Sequence, residues 1–281
     1  MRFIDAHNHA QDERLASARD AVMQECAKAQ VFLSAVNGAT PSDWELVANL
    51  AKKYSWVVPN FGVHPWYIND IPKDWQSLLI RYLDAFPSGV GETGIDGWKK
   101  EFDPKLQESI FIDQLQIAAD RGLPISIHGL RRWGRLLEIL RTNPLPACGF
   151  MLHSYGGPAD MIPAFEKLGG YFSFPGFFLT PGREMKLEVF RHVPAERLLI
   201  ETDAPDQNLP GDLDLYKLTD REHGKRINHP ANISAVYVGL ARFLGQDLES
   251  LANRVAQNFC SLFAPVLRKA GKTPPYCASG S

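Results

Sequence analysis

The sequence predicts a single-domain α/β protein, a (β/α)8 barrel of the TIM type, on three observations. Short apolar segments recur along the chain, each followed by polar residues and a helical pattern. These segments read as continuous apolar runs, as parallel strands covered on both faces do. The length, 281 residues, suits one barrel domain.

Eight segments fill the strand positions: Phe3–Ala6, Val31–Val36, Trp56–Val63, Val90–Glu92, Pro124–His128, Phe150–His153, Gly170–Phe174 and Leu198–Glu201. Helical stretches lie between and after them. Residues 104–121 set Leu106, Ile110, Leu115 and Ile117–Ala118 at roughly helical spacing, and Gly122 stops the run. Arg132–Leu140 follows the fifth strand and Pro158–Leu168 the sixth, while Asn232–Leu244 and Leu248–Phe263 close the fold. Repeated β-then-α units with right-handed crossovers make a barrel. An open doubly wound sheet is the other architecture for such a pattern, but no GxGxxG turn follows the first strand. The barrel is expected over residues 1–265, with a tail over 266–281 that frays across Lys272–Ser281. Ala204–Asn228 is long and polar and follows the last strand, where a barrel carries active-site loops.

Composition narrows the function classes. Hydrophobic residues make up 45% and charged residues 22%, which excludes a largely disordered chain. Thirty basic residues against 32 acidic ones leave a net charge of -2, so no global basic field advertises a nucleic-acid binder. A phosphate-bearing substrate would have to be held by metal ions and a few local Arg or Lys. The four cysteines, Cys26, Cys148, Cys260 and Cys277, form no CxxC pair, which favours a reducing cytoplasm over a disulfide scaffold. The start, MRFIDAHNHA, lacks the apolar stretch of a signal peptide. No segment approaches the ~20 apolar residues of a membrane span. No obligate protein partner is evident either.

In such a barrel, functional groups stand where strands end at the C-terminal face. Strand one runs into His7-Asn8-His9, strand four into Glu92, strand five into His128, strand six into His153 and strand eight into Asp203. Two residues apart on a strand, His7 and His9 share a face and can chelate one ion. An isolated HxH is weak evidence, and His128 or His153 alone reads as a hydrogen-bonded core histidine. Together, at successive strand ends, the latter two read as a second chelating pair. Glu92, after a buried strand, needs a cation or several donors to offset its desolvation. Asp203 follows the same logic. Imidazole and carboxylate ligands suit Zn²⁺, Mn²⁺ or Fe²⁺. Two ions sharing a carboxylate lie ~3.5–4 Å apart and activate water for hydrolysis. Asp203 can then take a proton from the attacking water and return it to the leaving group.

The motifs FIDAHNH at 3–9, GVHPW at 62–66, VGETGID at 90–96, QLQIAADRGLPISIH at 114–128, LHSYGG at 152–157, LLIETDAP at 198–205 and NFCSLF at 258–263 resemble the TatD family of metal-dependent deoxyribonucleases, within the amidohydrolase-like barrel superfamily. The resemblance spans roughly residues 2–264. It implies two divalent ions, Zn, Mn or Mg, with Zn favoured by the four histidines. His7 and His9 would hold one, with Asp203 beside them; Glu92 would bridge to a second, held by His128 and His153. Asp203 would act as catalytic base, and Glu92 belongs to the catalytic pair. His64 and Trp66 would stand at the rim near the substrate. Two departures touch the substrate side. Where the family often carries Arg two residues after the fifth-strand histidine, this chain has Leu130, with Arg131 and Arg132 following as substitutes for a phosphate contact. Where the family reads Asn-Glu-Pro, this chain reads Asn228-His229-Pro230. Lys217, Arg221, Lys225 and Arg226 add charge in the long loop.

The activity expected from these residues is metal-dependent phosphodiester hydrolysis that releases nucleotides from DNA ends. Hydrolysis of a small amide, lactone or phosphoester on the same centre is the alternative. A metal-binding protein without catalysis ranks third, because the ligand set is complete.

Overall fold

The computed structural model describes residues 1–272. Eight strands form one parallel sheet in chain order: β1 (Phe3–Asn8), β2 (Val31–Asn37), β3 (Val57–Phe61), β4 (Gly89–Asp96), β5 (Ile125–Leu130), β6 (Phe150–Leu152), β7 (Gly170–Pro175) and β8 (Leu198–Glu201). Each consecutive pair is parallel. The seam between β8 and β1 is drawn together just past the strand ends. Thr202 gives its N–H (2.9 Å) and its hydroxyl (2.6 Å) to the buried Asp5 carboxyl. Asp203 N–H then donates to His7 O at 3.0 Å, and His9 N–H to Ala204 O at 2.7 Å. The eight-stranded barrel expected from the apolar runs is therefore the observed one.

The helices are α1 (Arg19–Lys28), α2 (Trp44–Lys53), α3 (Trp75–Ala85), α4 (Pro104–Arg121), α5 (Trp133–Thr142), α6 (Ile162–Lys167), α7 (Glu184–Val189), α8 (Ile233–Leu244), α9 (Leu248–Leu262) and α10 (Ala264–Lys269). α4 shows why the sequence marks its ends so clearly. Asp103 accepts from Lys105 N–H, Pro104 sits in the first turn, and Gly122 takes a left-handed conformation at the end. α6 is shorter than the pattern over 158–168 implies: Pro158 stays extended, residues 159–161 form a 3-10 turn, and the helix proper starts at Ile162. α10 spans the boundary placed at 265, with Val266 and Leu267 buried. Of the tail expected to fray, residues 273–281, including Cys277, lie outside the described residues. Among the described residues no helix is long and apolar enough to cross a membrane.

Strand boundaries matter most around β4. The apolar pattern marks only Val90–Glu92, yet the strand runs for eight residues to Asp96, all buried. Polar Glu92 and Asp96 are paired at the barrel mouth and Thr93 accepts from Gln114 of α4, so hydropathy understates the strand. β3 stops at Phe61. Gly62 then passes so near the Gly91–Glu92 backbone that a Cβ would lie 2.7 Å from it. Gly94 faces His128 across the β4–β5 register at a φ of +146°, and a Cβ there would overlap the His128 carbonyl. The long loop after β8 carries a two-stranded antiparallel ribbon, Leu218–Thr219 with Arg226–Ile227.

Gly94→Ala is expected to destabilise the barrel by about 3 kcal/mol, since strain and backbone overlap act together. Gly134→Ala in the first turn of α5, where a Cβ meets nothing within 4 Å, should be neutral or gain about 0.5–1 kcal/mol. Urea unfolding of the two variants checks both; equal midpoints would refute the strain at position 94.

Candidate metal centre

The six residues singled out at strand ends converge on one point. His7 is on β1 and His9 just beyond it; Glu92 is on β4, His128 on β5, and His153 and Asp203 follow β6 and β8. The Glu92 carboxylate is the hub. Its Oε2 lies 3.4 Å from His7 Nε2 and 3.1 Å from His9 Nε2. Its Oε1 lies 3.0 Å from His128 Nδ1, 2.9 Å from His153 Nε2 and 3.4 Å from His64 Nε2. Asp203 Oδ1 stands 3.6 Å from both His7 Nε2 and His9 Nε2. Glu92, His7, His153 and Asp203 are all buried.

The far side of most of these imidazoles is tied down, which fixes what the near side offers. His9 Nδ1 lies 2.7 Å from the Asn37 carbonyl. A carbonyl only accepts, so Nδ1 carries the proton and the neutral ring turns a lone pair inward at Nε2. His128 Nε2 lies 2.9 Å from Asp96 Oδ2, so its inward lone pair is on Nδ1. His153 Nδ1 faces Glu201 Oε1 at 3.4 Å, and His7 Nδ1 meets Ser126 Oγ at 2.9 Å. Imidazoles held by outer carboxylates and carbonyls, with inner nitrogens converging, are the arrangement of histidine metal ligands.

Donor spacing tests whether a divalent ion fits. Four donors about 2.1 Å from a shared tetrahedral ion lie about 3.4 Å from one another. His7 Nε2 and His9 Nε2 are 3.2 Å apart, and both stand 3.1–3.6 Å from Glu92 Oε2 and Asp203 Oδ1. His128 Nδ1 and His153 Nε2 are 3.3 Å apart, each within 3.0 Å of Glu92 Oε1. Three overlapping triads meet the spacing of a metal site: His7/His153/Asp203, His7/His9/Glu92 and His64/Glu92/His128. The donors fit a divalent cation.

Proton affinities show the strain of packing these groups together. Burial holds His7 down to about 4. Burial also opposes protonation of His9, but the bond and charge of Glu92 lift it to about 9. Burial works to raise Glu92 too, yet the surrounding imidazoles, led by His153 and His64, hold it well below the carboxylate range. Asp203 is pushed up to about 7 by burial, against the pull of His153 and His9.

His64, expected at the rim, sits deeper: it is buried and reaches Glu92 itself. Its Nδ1 accepts from Trp66 N–H, which turns Nε2 inward. Trp66 does stand over the centre, its Nε1–H donating to Asp96 Oδ2 at 2.9 Å. Arg131 and Arg132 are not brought to it. Neither lines the cavity above the centre, and Arg132 pairs with Glu108 at 2.7 Å. Leu130 lines that cavity. His229 accepts from Ala231 N–H and pairs with Glu25 at 2.8 Å. Arg226 pairs with Asp214 at 2.8 Å.

Sequence reasoning assigned no role to Asp96, Glu201, Asp5 or Asn37. Asp96 orients His128 through a 2.9 Å contact to Nε2, and the Glu201 carboxylate stands 3.4 Å behind His153 Nδ1 without a hydrogen bond. Glu201 accepts from Ser154 N–H (2.7 Å) and Ser154 Oγ–H (2.6 Å). Their signal was present: each is an acidic residue at the end of a buried strand, two or four positions from a ligand candidate.

A parallel barrel that gathers imidazoles and carboxylates at its C-terminal mouth defines a class of metal-dependent hydrolases. Within that class the chain belongs to the family described as TatD related DNase, whose model matches residues 4–264. The 3'-5' ssDNA/RNA exonuclease TatD of Escherichia coli K12 is 31% identical over 255 residues, covering 89% of this chain and 94% of that protein. A metal-dependent hydrolase of the same organism, YcfH, is 28% identical over 266 residues, covering 94% and 96%. The crystal structure of the E. coli TatD homolog YJJV superposes with a TM-score of 0.84 at 25% identity, covering 94% of this chain and 98% of that one. A TatD-family hydrolase of Entamoeba histolytica, 20% identical, shares the fold with a TM-score of 0.80, over 94% and 99%. The family resemblance read from the motifs is borne out.

Asp96→Asn should weaken divalent metal binding about 10–100-fold, because an amide holds the His128 ring less firmly than a carboxylate. Isothermal titration of metal-free protein with Zn²⁺ or Mn²⁺ measures this; unchanged affinity would detach His128 from the metal site.

Proposed function

We propose that this protein hydrolyses phosphodiester bonds of nucleic acid from strand ends, at a centre of two divalent ions. His7, His9 and Asp203 would hold one ion and His128 and His153 the other, with Glu92 a ligand candidate for either; Zn²⁺ would suit the imidazole-rich set best, with Mn²⁺ or Mg²⁺ as alternatives. The observation that carries this reading is the Glu92 carboxylate, buried among five inward-facing imidazoles. A relative named as a ssDNA/RNA exonuclease supports the substrate class. Divalent ions bound here supply Lewis acidity toward the phosphoryl group and lower the pKa of water.

The chain's own residues do the rest. Asp203 faces the cavity and is its proton carrier. Gln207 donates to Asp203 Oδ2 at 2.6 Å and fixes the plane of the carboxyl, leaving Oδ1 toward His7 and His9. Asp203 holds a backbone φ of +53°, outside the usual range, which aims it inward from the strand end. Trp66, braced on Asp96, walls the centre and limits water. His64 closes the third side.

Linear single-stranded DNA should be shortened from its ends after divalent ions are supplied, and EDTA should abolish this. Glu92→Gln should lower the rate at least about 10²-fold, since it loosens the ligand set as a whole. A covalently closed circle of the same sequence should resist. Cleavage of the circle at the linear rate would rule out end-directed action. Turnover of a lactone or amide with DNA inert would transfer the centre to small-molecule hydrolysis.

A further inference from the structure

The cavity above the centre, about 430 Å³, has two unlike walls. Trp98, in the loop after β4, forms one, and it is 50% exposed. It packs beside Trp66, with ring centroids 5.9 Å apart. The segment after β7 forms the other, with Phe177, Arg183 and Lys186. Arg183 stacks on Phe177 with its guanidinium carbon 3.7 Å from the ring centre, so its N–H edges stay open. Lys186 Nζ–H donates to the Gly156 carbonyl, beside the loop that carries His153.

Neither cation makes an ion pair among the described residues. They share this with Lys99, whose Nζ lies 3.9 Å from the Trp66 ring centre, but three other cations near the mouth are paired. Arg14 is held by Asp12 and Asp206, Arg132 by Glu108 and Arg226 by Asp214. Lys186 is partly desolvated with no anion near enough to offset the cost; burial alone lowers its ammonium. On the other side of Glu92 a second cavity is lined by Asp12, Glu13, Asp43 and Glu222, and its cations, Arg14 and His223, are already paired. A polyanion crossing the mouth is attracted on the Lys186 side and repelled on the other.

We propose that Lys186, with Arg183 beside it, binds the phosphate next to the one attacked, and that Trp98 stacks the adjoining base. This contact replaces the donor that Leu130 cannot supply, and it fixes the side on which the strand lies. The inference rests on the nucleic-acid reading above.

The test walks one neutral methylphosphonate linkage along a labelled oligothymidylate, using the metal-loaded protein. Neutralising the linkage beside the scissile one should raise the wild-type KM about 10-fold, well beyond its effect on kcat. In Lys186→Met the same linkage should change KM less than twofold, while Lys186→Arg keeps the wild-type pattern. In fluorescence anisotropy, log K against log salt should flatten by about 0.7 for Lys186→Met, the loss of one single-strand phosphate contact. Trp98→Ala should weaken binding about 10-fold. Metal content equal to wild type shows that the variants keep the centre. If Lys186→Met matches wild type at every linkage and in salt slope, the inference is overturned while the function stands. If wild type neither binds nor cleaves the strand, the nucleic-acid reading falls, and this inference with it.

Discussion

A carboxylate buried without a counter-charge is among the least tolerable features of a protein interior. Glu92 is 2% exposed and meets five imidazoles, each within 3.4 Å. Everything near the mouth follows from that placement. Imidazoles can crowd a carboxylate where the longer side chains of lysine or arginine could not be packed. They stabilise the carboxylate against its burial, and each deprotonated ring brings a lone pair. Glu92, a second buried acid at Asp203 and a ring of nitrogen donors together make a site whose electrostatics are completed by a divalent cation.

That arrangement demands positional accuracy, and the barrel provides it through hydrogen-bonded register. β4 and β5 pair Gly94 with His128 and Asp96 with Leu130, so His128 and its orienting carboxylate arrive on neighbouring strands. The absence of a side chain at Gly94 lets those strands approach. At the seam, Asp5 receives both the N–H and the hydroxyl of Thr202, which sets the turn into Asp203 against the turn out of His7. Asp5 is itself pushed up to about 7 by burial, against the pull of the Thr202 and Asn8 bonds. It binds no imidazole. Its work is to join the two strand ends that carry three of the six ligand candidates.

How much of this is legible in sequence depends on whether a residue acts alone or through a partner. The strands are legible because parallel strands buried on both faces are apolar throughout. The six ligand candidates are legible because strand ends in a barrel share one mouth, whatever their separation along the chain. The length of β4 is not legible, since Thr93 and Asp96 look like loop residues until their partners are known. The same holds for Asn37, whose carbonyl takes its role from His9 across a strand boundary. His64 lies in a loop with no periodicity, and its depth is set by the Pro65–Trp66 turn folding back on Asp96. Arg131 and Arg132 stand close in sequence to a ligand candidate, but proximity along the chain is not direction. Arg131 adopts a φ of +59° and Arg132 begins α5 against Glu108, so the chain turns away from the cavity there.

The two kinds of residue are constrained differently. A ligand must come from one strand position, because moving one residue along a strand reverses the face its side chain occupies. A cation that receives a flanking phosphate has no such restriction; any loop that reaches the mouth can present it. Position 130 carries Leu here, and the open cations at the cavity stand instead on the segment after β7, two strands along the sheet. The metal centre and the recognition surface can therefore change independently in this fold.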